Sequence, residues 1–347
     1  MKKKIIISIV ALLLLGILLA FFQALVVPKY LTNAEGLLTG GYYEDAGGHD
    51  VILVGDCEVY ESFVPSVLWD KYGITSYVRG GAQQLSWHSY YILEETFKYE
   101  IPKVVIFNVY ALKYGKPQSE AYNRMTFDTM KWSSSKLEGI KASMTDDESI
   151  IDYIFPLLRY HSRITQLEKE DFEFVFNKPK DCSDNGYLIK TGILPMPQSD
   201  PITEPPEELL PDSALEYLDK IKALCDQNGV TLILMKAPTN SRGYWWYDEW
   251  EEQIKNYSEK NNVDYYNFIP LCEEMGINWQ TDTYDGGLHL NAYGAEKFTE
   301  FFGKILSQNY GLESKKDDDE VSEKWNGYLE EYKMRKKESE ERANEVE

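Results

Sequence analysis

The chain has 347 residues, with 57 acidic against 36 basic side chains and a net charge of −21. That length accommodates one large domain or two ordinary ones. The charge argues against a nucleic-acid partner, because a phosphate backbone needs a basic patch and no dense Lys/Arg stripe follows the first four residues. The 26 Tyr and 8 Trp read as ordinary packing or as a carbohydrate-facing surface.

The N-terminal Met-Lys-Lys-Lys precedes Ile5 to Val27, 23 residues without a charge. A helix of that length crosses a hydrocarbon core of about 30 Å. The flanking lysines favour a cytoplasmic N-terminus. Residues 1–30 therefore read as a stub and a single-pass anchor in the cell membrane, with the remaining chain extracytoplasmic. A cleaved signal peptide is the rival reading, but the run is long and no small-x-small site follows. Residues 31–50 read as a polar, Gly-rich linker.

Strands and helices then alternate. Strands are expected at 51–55 (VILVG), 75–78, 103–109, 230–238 and 263–268, and helices at 61–73, 82–100, 212–227, 247–260 and 292–308. The pattern is interrupted at about 111–200 by a largely helical insertion with Pro-rich polar loops. Such alternation over residues 51–310 predicts an α/β domain with a parallel sheet covered on both faces. In the tail, 311–347, Val321, Trp325, Leu329 and Tyr332 share a helical face and predict docking. Residues 335–347 are almost all charged or small and read as a frayed helix or as disorder.

The four cysteines (Cys57, Cys182, Cys225, Cys272) and four histidines (His49, His88, His161, His289) match no metal-site spacing, and no metal or other cofactor is expected. Cys225 and Cys272 read as core thiols, and Cys182 as a loop thiol able to pair. His88 reads as structural, and His161 as structural or substrate-facing. Cys57 follows the first strand in Gly-Asp-Cys, beyond a carboxyl end where ligands of parallel sheets sit. It reads as a nucleophile, a buried filler, or half of a disulfide. A nucleophile needs a base, a group orienting the base, and donors for the developing oxyanion. His289 lies on the loop DGGLHLNAYG before a helix that Asn291 would cap, with Asp285 and Asp282 upstream. It reads as that base or as a helix-start hydrogen-bonder.

GDCEVYESFVP resembles the first block of the SGNH/GDSL hydrolases, and DGGLHLNAYGAEKF their last. Asn123-Arg124 to Asp128 and LLRYHSRI resemble the DltD/AlgX-like, membrane-anchored branch. The resemblance covers most of residues 50–310. It implies a flavodoxin-like three-layer α/β/α fold, with Cys57 as nucleophile, His289 as base and Asp285 as acid. It further implies an oxyanion hole from the Cys57 N–H, Gly81 (or Gly80) and the Asn108 side chain. Two departures stand out. Cys replaces Ser, which implies a thioester intermediate, with His289 able to lower the thiol pKa. The acid's usual position, three before the histidine, is Gly286; Asp285 is four before, and Asp282 is the alternative acid. The implied function is an acyl-ester hydrolase or O-acyltransferase acting on cell-surface glycopolymers, partnered in the transfer case by a membrane-bound O-acyltransferase. The competing expectation is a catalytically inactive scaffold or glycan-binding component with the same fold.

Overall fold

Five short apolar runs form one parallel sheet: β1 Val51–Gly55, β2 Ser76–Gly80, β3 Val104–Asn108, β4 Thr231–Lys236 and β5 Asp264–Asn267, in the order β2-β1-β3-β4-β5. This is the order of flavodoxin-type doubly wound sheets. The computed structural model describes residues 2–28, 34–176, 183–196, 209–240 and 247–346. The helices are α1 Lys2–Val26, α2 Ala34–Asp45, α3 Cys57–Tyr60, α4 Pro65–Tyr72, α5 Ser86–Thr96, α6 Glu120–Phe127, α7 Ser134–Ser143, α8 Ile150–Ile154, α9 Pro156–Tyr160, α10 Lys169–Phe176, α11 Asp212–Gln227, α12 Tyr247–Asn261, α13 Ala292–Asn309 and α14 Asp319–Val346.

The central strands are apolar without interruption because both their faces are covered. Successive side chains leave on opposite faces. Val51 and Leu53, with Ile106 and Met235, meet Leu68 of α4 and Phe298 and Phe302 of α13. Ile52 and Val54, with Phe107 and Leu234, meet Ile92 of α5, Leu218 of α11 and Trp250 of α12. These two cores make three layers. The edge at β2 is covered by the turn around Asn185, whose carbonyl accepts the Val78 N–H at 2.9 Å.

Some expectations shift by a few residues. The helix expected at 61–73 starts at Pro65, a favoured first-turn residue, and ends at Gly73 with φ +66°. The helix expected at 82–100 is shorter, and within 111–200 the helices lie between 120 and 176, whereas 183–196 is not helical. Two segments differ in kind. Residues 34–45 of the expected linker are helix α2, because Leu37, Leu38 and Tyr42 bury their side chains and the Arg79 guanidinium lies 4.0 Å over the Tyr42 ring. The tail is helical to Val346. Trp325 and Tyr332 are buried, and beyond them Lys336 pairs with Glu296 at 2.7 Å and Ser339 bonds Thr191 at 2.8 Å. Charged residues expected to fray are therefore fixed by specific partners.

α1 is long and apolar enough to cross a membrane, and the side chains along most of its length are exposed.

Candidate active site

Gly55 closes β1 with φ +156°. A Cβ there would lie 2.7 Å from Val59 Cγ2 and 2.8 Å from Asn108 Cβ, so the tight turn admits glycine alone. Asp56 then caps α3, its Oδ1 accepting the Glu58 N–H at 3.2 Å. Cys57 is thereby fixed as the first helical residue, partly exposed beyond the carboxyl end of the sheet. Its own N–H, an orphan donor of the first turn, meets no acceptor among the described residues.

His289 comes from the far end of the domain. Asn291 caps α13 through its side chain, accepting from Tyr293 and Gly294. The loop before it is held by Thr239, three residues past β4, whose hydroxyl is shared between the Gly287 and Leu288 carbonyls at 3.2 and 3.0 Å. Gly286 and Gly287 both take positive φ, +82° and +97°. This curl brings Asp285 back onto His289 despite the four-residue spacing. Asp285 Oδ1 accepts the His289 backbone N–H at 2.9 Å, and Oδ2 meets Nδ1 at 2.6 Å. On the other side of the ring, Nε2 lies 3.0 Å from Cys57 Sγ. The structure thus brings Cys57, His289 and Asp285 into one chain of contacts.

Asp282 is not part of that chain. It is buried against the Lys297 ammonium at 2.6 Å and accepts the Asn278 N–H, which anchors α13. Glu61 takes the second position at the imidazole. Its Oε2 is 3.4 Å from Nδ1 and its Oε1 accepts the Tyr284 hydroxyl at 2.8 Å. Sequence reasoning missed Glu61, although it is four residues after Cys57 and so shares a helical face with it.

Two proposed oxyanion donors are otherwise engaged. Asn108 is fully buried, and its Nδ2 donates to Asp56 Oδ1 and Glu58 Oε2, each at 3.0 Å. Both amide hydrogens are therefore committed to carboxylates. The Gly81 N–H donates to the Gly55 carbonyl at 3.3 Å, and Gly80 pairs with Gly55 in the ladder. Beneath the turn, Lys236 at the end of β4 reaches both Glu58 oxygens at 2.7 and 2.8 Å. A lysine closing an apolar strand was the sequence signal for this second missed group.

Burial and the Asp56 carboxylate push the Cys57 thiol above its ordinary range, more than His289 pulls it down. The expected lowering of the thiol pKa is thus present as a contribution but overridden. Burial opposes a charged imidazole, yet the bonds to Asp285 and Cys57, with Glu61 nearby, hold His289 well above its usual range. Burial raises Glu61, while the His289 bonds outweigh burial and lower Asp285. The Nε2–Sγ contact places the imidazole to take the thiol proton before sulfur attacks.

The other candidates are structural. His88 is buried, accepting the Leu85 N–H at Nδ1 and meeting Asn123 at 3.0 Å through Nε2. Arg124 is buried between Glu120 and Asp128. Exposed His161 contacts the Leu158 carbonyl. Cys57, Cys225 and Cys272 are free thiols, and Cys182 lies outside the described residues. Of the aromatic run YWWYDEW at 244–250, Trp250 packs in a core, and 244–246 lie outside the described residues. Among the described residues no group of three or more His, Cys, Asp or Glu is disposed to hold a metal. No protein-family model matches this chain, and no curated protein matches it significantly by sequence.

Proposed function

We propose that the chain is a membrane-anchored, extracytoplasmic acyl-ester enzyme of SGNH/GDSL type, related to the DltD/AlgX-like branch. The observation that carries this reading is the Asp285–His289–Cys57 sequence of contacts at the carboxyl end of a parallel sheet. With the thiol proton moved to His289 Nε2, Sγ attacks the ester carbonyl, forming an S–C bond, and that proton passes to the leaving alcohol oxygen as the C–O bond breaks. Water or a sugar hydroxyl then attacks the thioester, Nε2 takes the attacker's proton, and the thiolate leaves. The Cys57 N–H faces the oxyanion, in a hole with fewer donors than the resemblance implies. The substrate class is an acyl ester of a cell-surface glycopolymer, and in the transferase version a membrane-bound O-acyltransferase supplies the acyl group.

The full chain in detergent, treated with p-nitrophenyl acetate and digested for mass spectrometry, tests this. The expected result is an acetyl thioester at Cys57 that His289→Ala reduces at least about tenfold, consistent with the usual worth of general-base help. Acetylation absent from Cys57, or indifferent to His289, overturns the reading. The committed Asn108 amide favours the second reading, a non-catalytic scaffold of the same fold, and that outcome would select it.

A further inference from the structure

α1 does not leave the domain as an isolated stalk. α9 and α10 pack against it, and Arg163 between them donates to the Val26 and Val27 carbonyls at 2.8 and 2.6 Å, closing the helix end. Arg163 is itself held by Asp171 at 3.1 Å. This collar carries large apolar side chains that the domain does not bury: Ile154, Leu158, Ile164, Phe172 and Phe176. Phe176 is 73% exposed, and its ring lies 6.0 Å from that of Phe21. Phe21 is six residues before the end of the uncharged run, or about 9 Å back along the helix at 1.5 Å per residue. Phe176 therefore stands beside the apolar span, at the depth of about 5–10 Å to which interfacial helices bury their apolar faces.

The same geometry orients the sheet. α2 runs antiparallel to β2, since the Thr39 carbonyl meets Arg79 while Tyr42 meets Tyr77. The start of α2 is thus level with the carboxyl ends of the strands, and so is α6, whose Thr126 lies beside Gly81 just past β2 and whose Glu120 pairs with Arg159 of the collar at 2.8 Å. Cys57 and the collar share that end.

We propose that residues 150–176 rest in the bilayer leaflet on the domain's side, seating the carboxyl end of the sheet and the Cys57 turn against the membrane surface. This rests on the anchor reading of α1. The photoreactive residue p-benzoylphenylalanine, placed singly at Leu158, Phe172 or Phe176 of the full chain in phosphatidylcholine–phosphatidylglycerol proteoliposomes, tests it by mass analysis after illumination. Leu14 in α1 is the anchor control. Ile101, exposed at the amino end of β3, is the distal control. Lipid adducts at 14, 158, 172 and 176, at least about five times those at 101, are expected. Adducts at 14, with 158, 172 and 176 no higher than 101, overturn the collar and leave the anchor standing. Cross-links from the collar to a second copy, in place of lipid, overturn it as well. No adduct at 14 brings down the anchor reading and the collar with it.

Discussion

Lys236→Met removes the ammonium group facing Glu58 while keeping much of the side chain's length and volume. In the native fold Nζ bonds both Glu58 oxygens and, at 3.2 Å, the Ala237 carbonyl. Both side chains are at most 2% exposed. The variant leaves a carboxylate in the interior with one remaining donor, the Asn108 amide. Breaking a buried pair from one side costs about 3–5 kcal/mol. The surviving Asn108 bond puts the expected loss at the lower end, about 3 kcal/mol. With a urea slope of about 3 kcal/mol per molar, the unfolding midpoint should fall by about 1 M. Tryptophan fluorescence of the full chain in detergent reads it. The double variant Glu58→Gln/Lys236→Met removes the stranded charge and should regain at least half of the loss. A drop of less than about 0.3 M, or a double variant no better than the single, would refute the claim that an unpaired carboxylate sets the cost. Glu58 adjoins Cys57, so the single variant should also alter alkylation at Cys57.

Gly55→Ala should cost about 1–3 kcal/mol by overpacking against Val59 and Asn108, and should slow Cys57 alkylation through the displaced turn; thermal melts and peptide mapping read both. Asp285→Asn removes a bond that holds the imidazolium, so His289 should deprotonate at lower pH, the cation facing Sγ is lost with that proton, and the iodoacetamide profile of Cys57 should move toward alkaline pH; an unmoved profile would mean Asp285 does not bear on the pair. Asp184 is buried with its carboxyl pushed up to about 7 by desolvation, relieved in part by the Ser66 hydroxyl. An acid whose pKa rises on folding contributes stability that is lost as pH climbs from about 4 through 7, because the unfolded chain releases the proton first. Asp184→Asn should therefore flatten that fall and be more stable than the parent at pH 8 in urea titrations at matched ionic strength. A parallel fall in both proteins would refute the assignment.

What could be read from the sequence followed the kind of contact involved. β1 and β3 were visible because burial on both faces leaves no polar position to interrupt them. Cys57, His289 and Asp285 were visible because each lies in a short Gly-containing segment whose backbone shape is local. Asn108 was also found, but its direction was not, because Asp56 and Glu58, past the end of a different strand, take its amide only in three dimensions. α2 was hidden for a related reason. Its glycines and acidic residues describe a linker until Arg79 and Tyr77, four elements further on, give Tyr42 something to pack on. Charge near the chain end was mistaken for solvation, although Lys336 and Tyr293 meet partners there.

The long helix α14 sets an order of events during synthesis. Trp69 of α4 is fully buried, tilted 33° against the Trp325 ring with centroids 5.8 Å apart, and its indole N–H bonds Asn326, 257 residues downstream. α2 waits on the same helix, through Tyr328 and Lys324 on Asp45. The early elements therefore emerge with an aromatic face whose cover is made last. Until then that face is sticky surface, of the kind that draws chaperones. A break in the chain before residue 320 would strip no accessory tail; it would leave the first-made half of the domain unsealed, with loss of protein from the cell preceding any loss of chemistry.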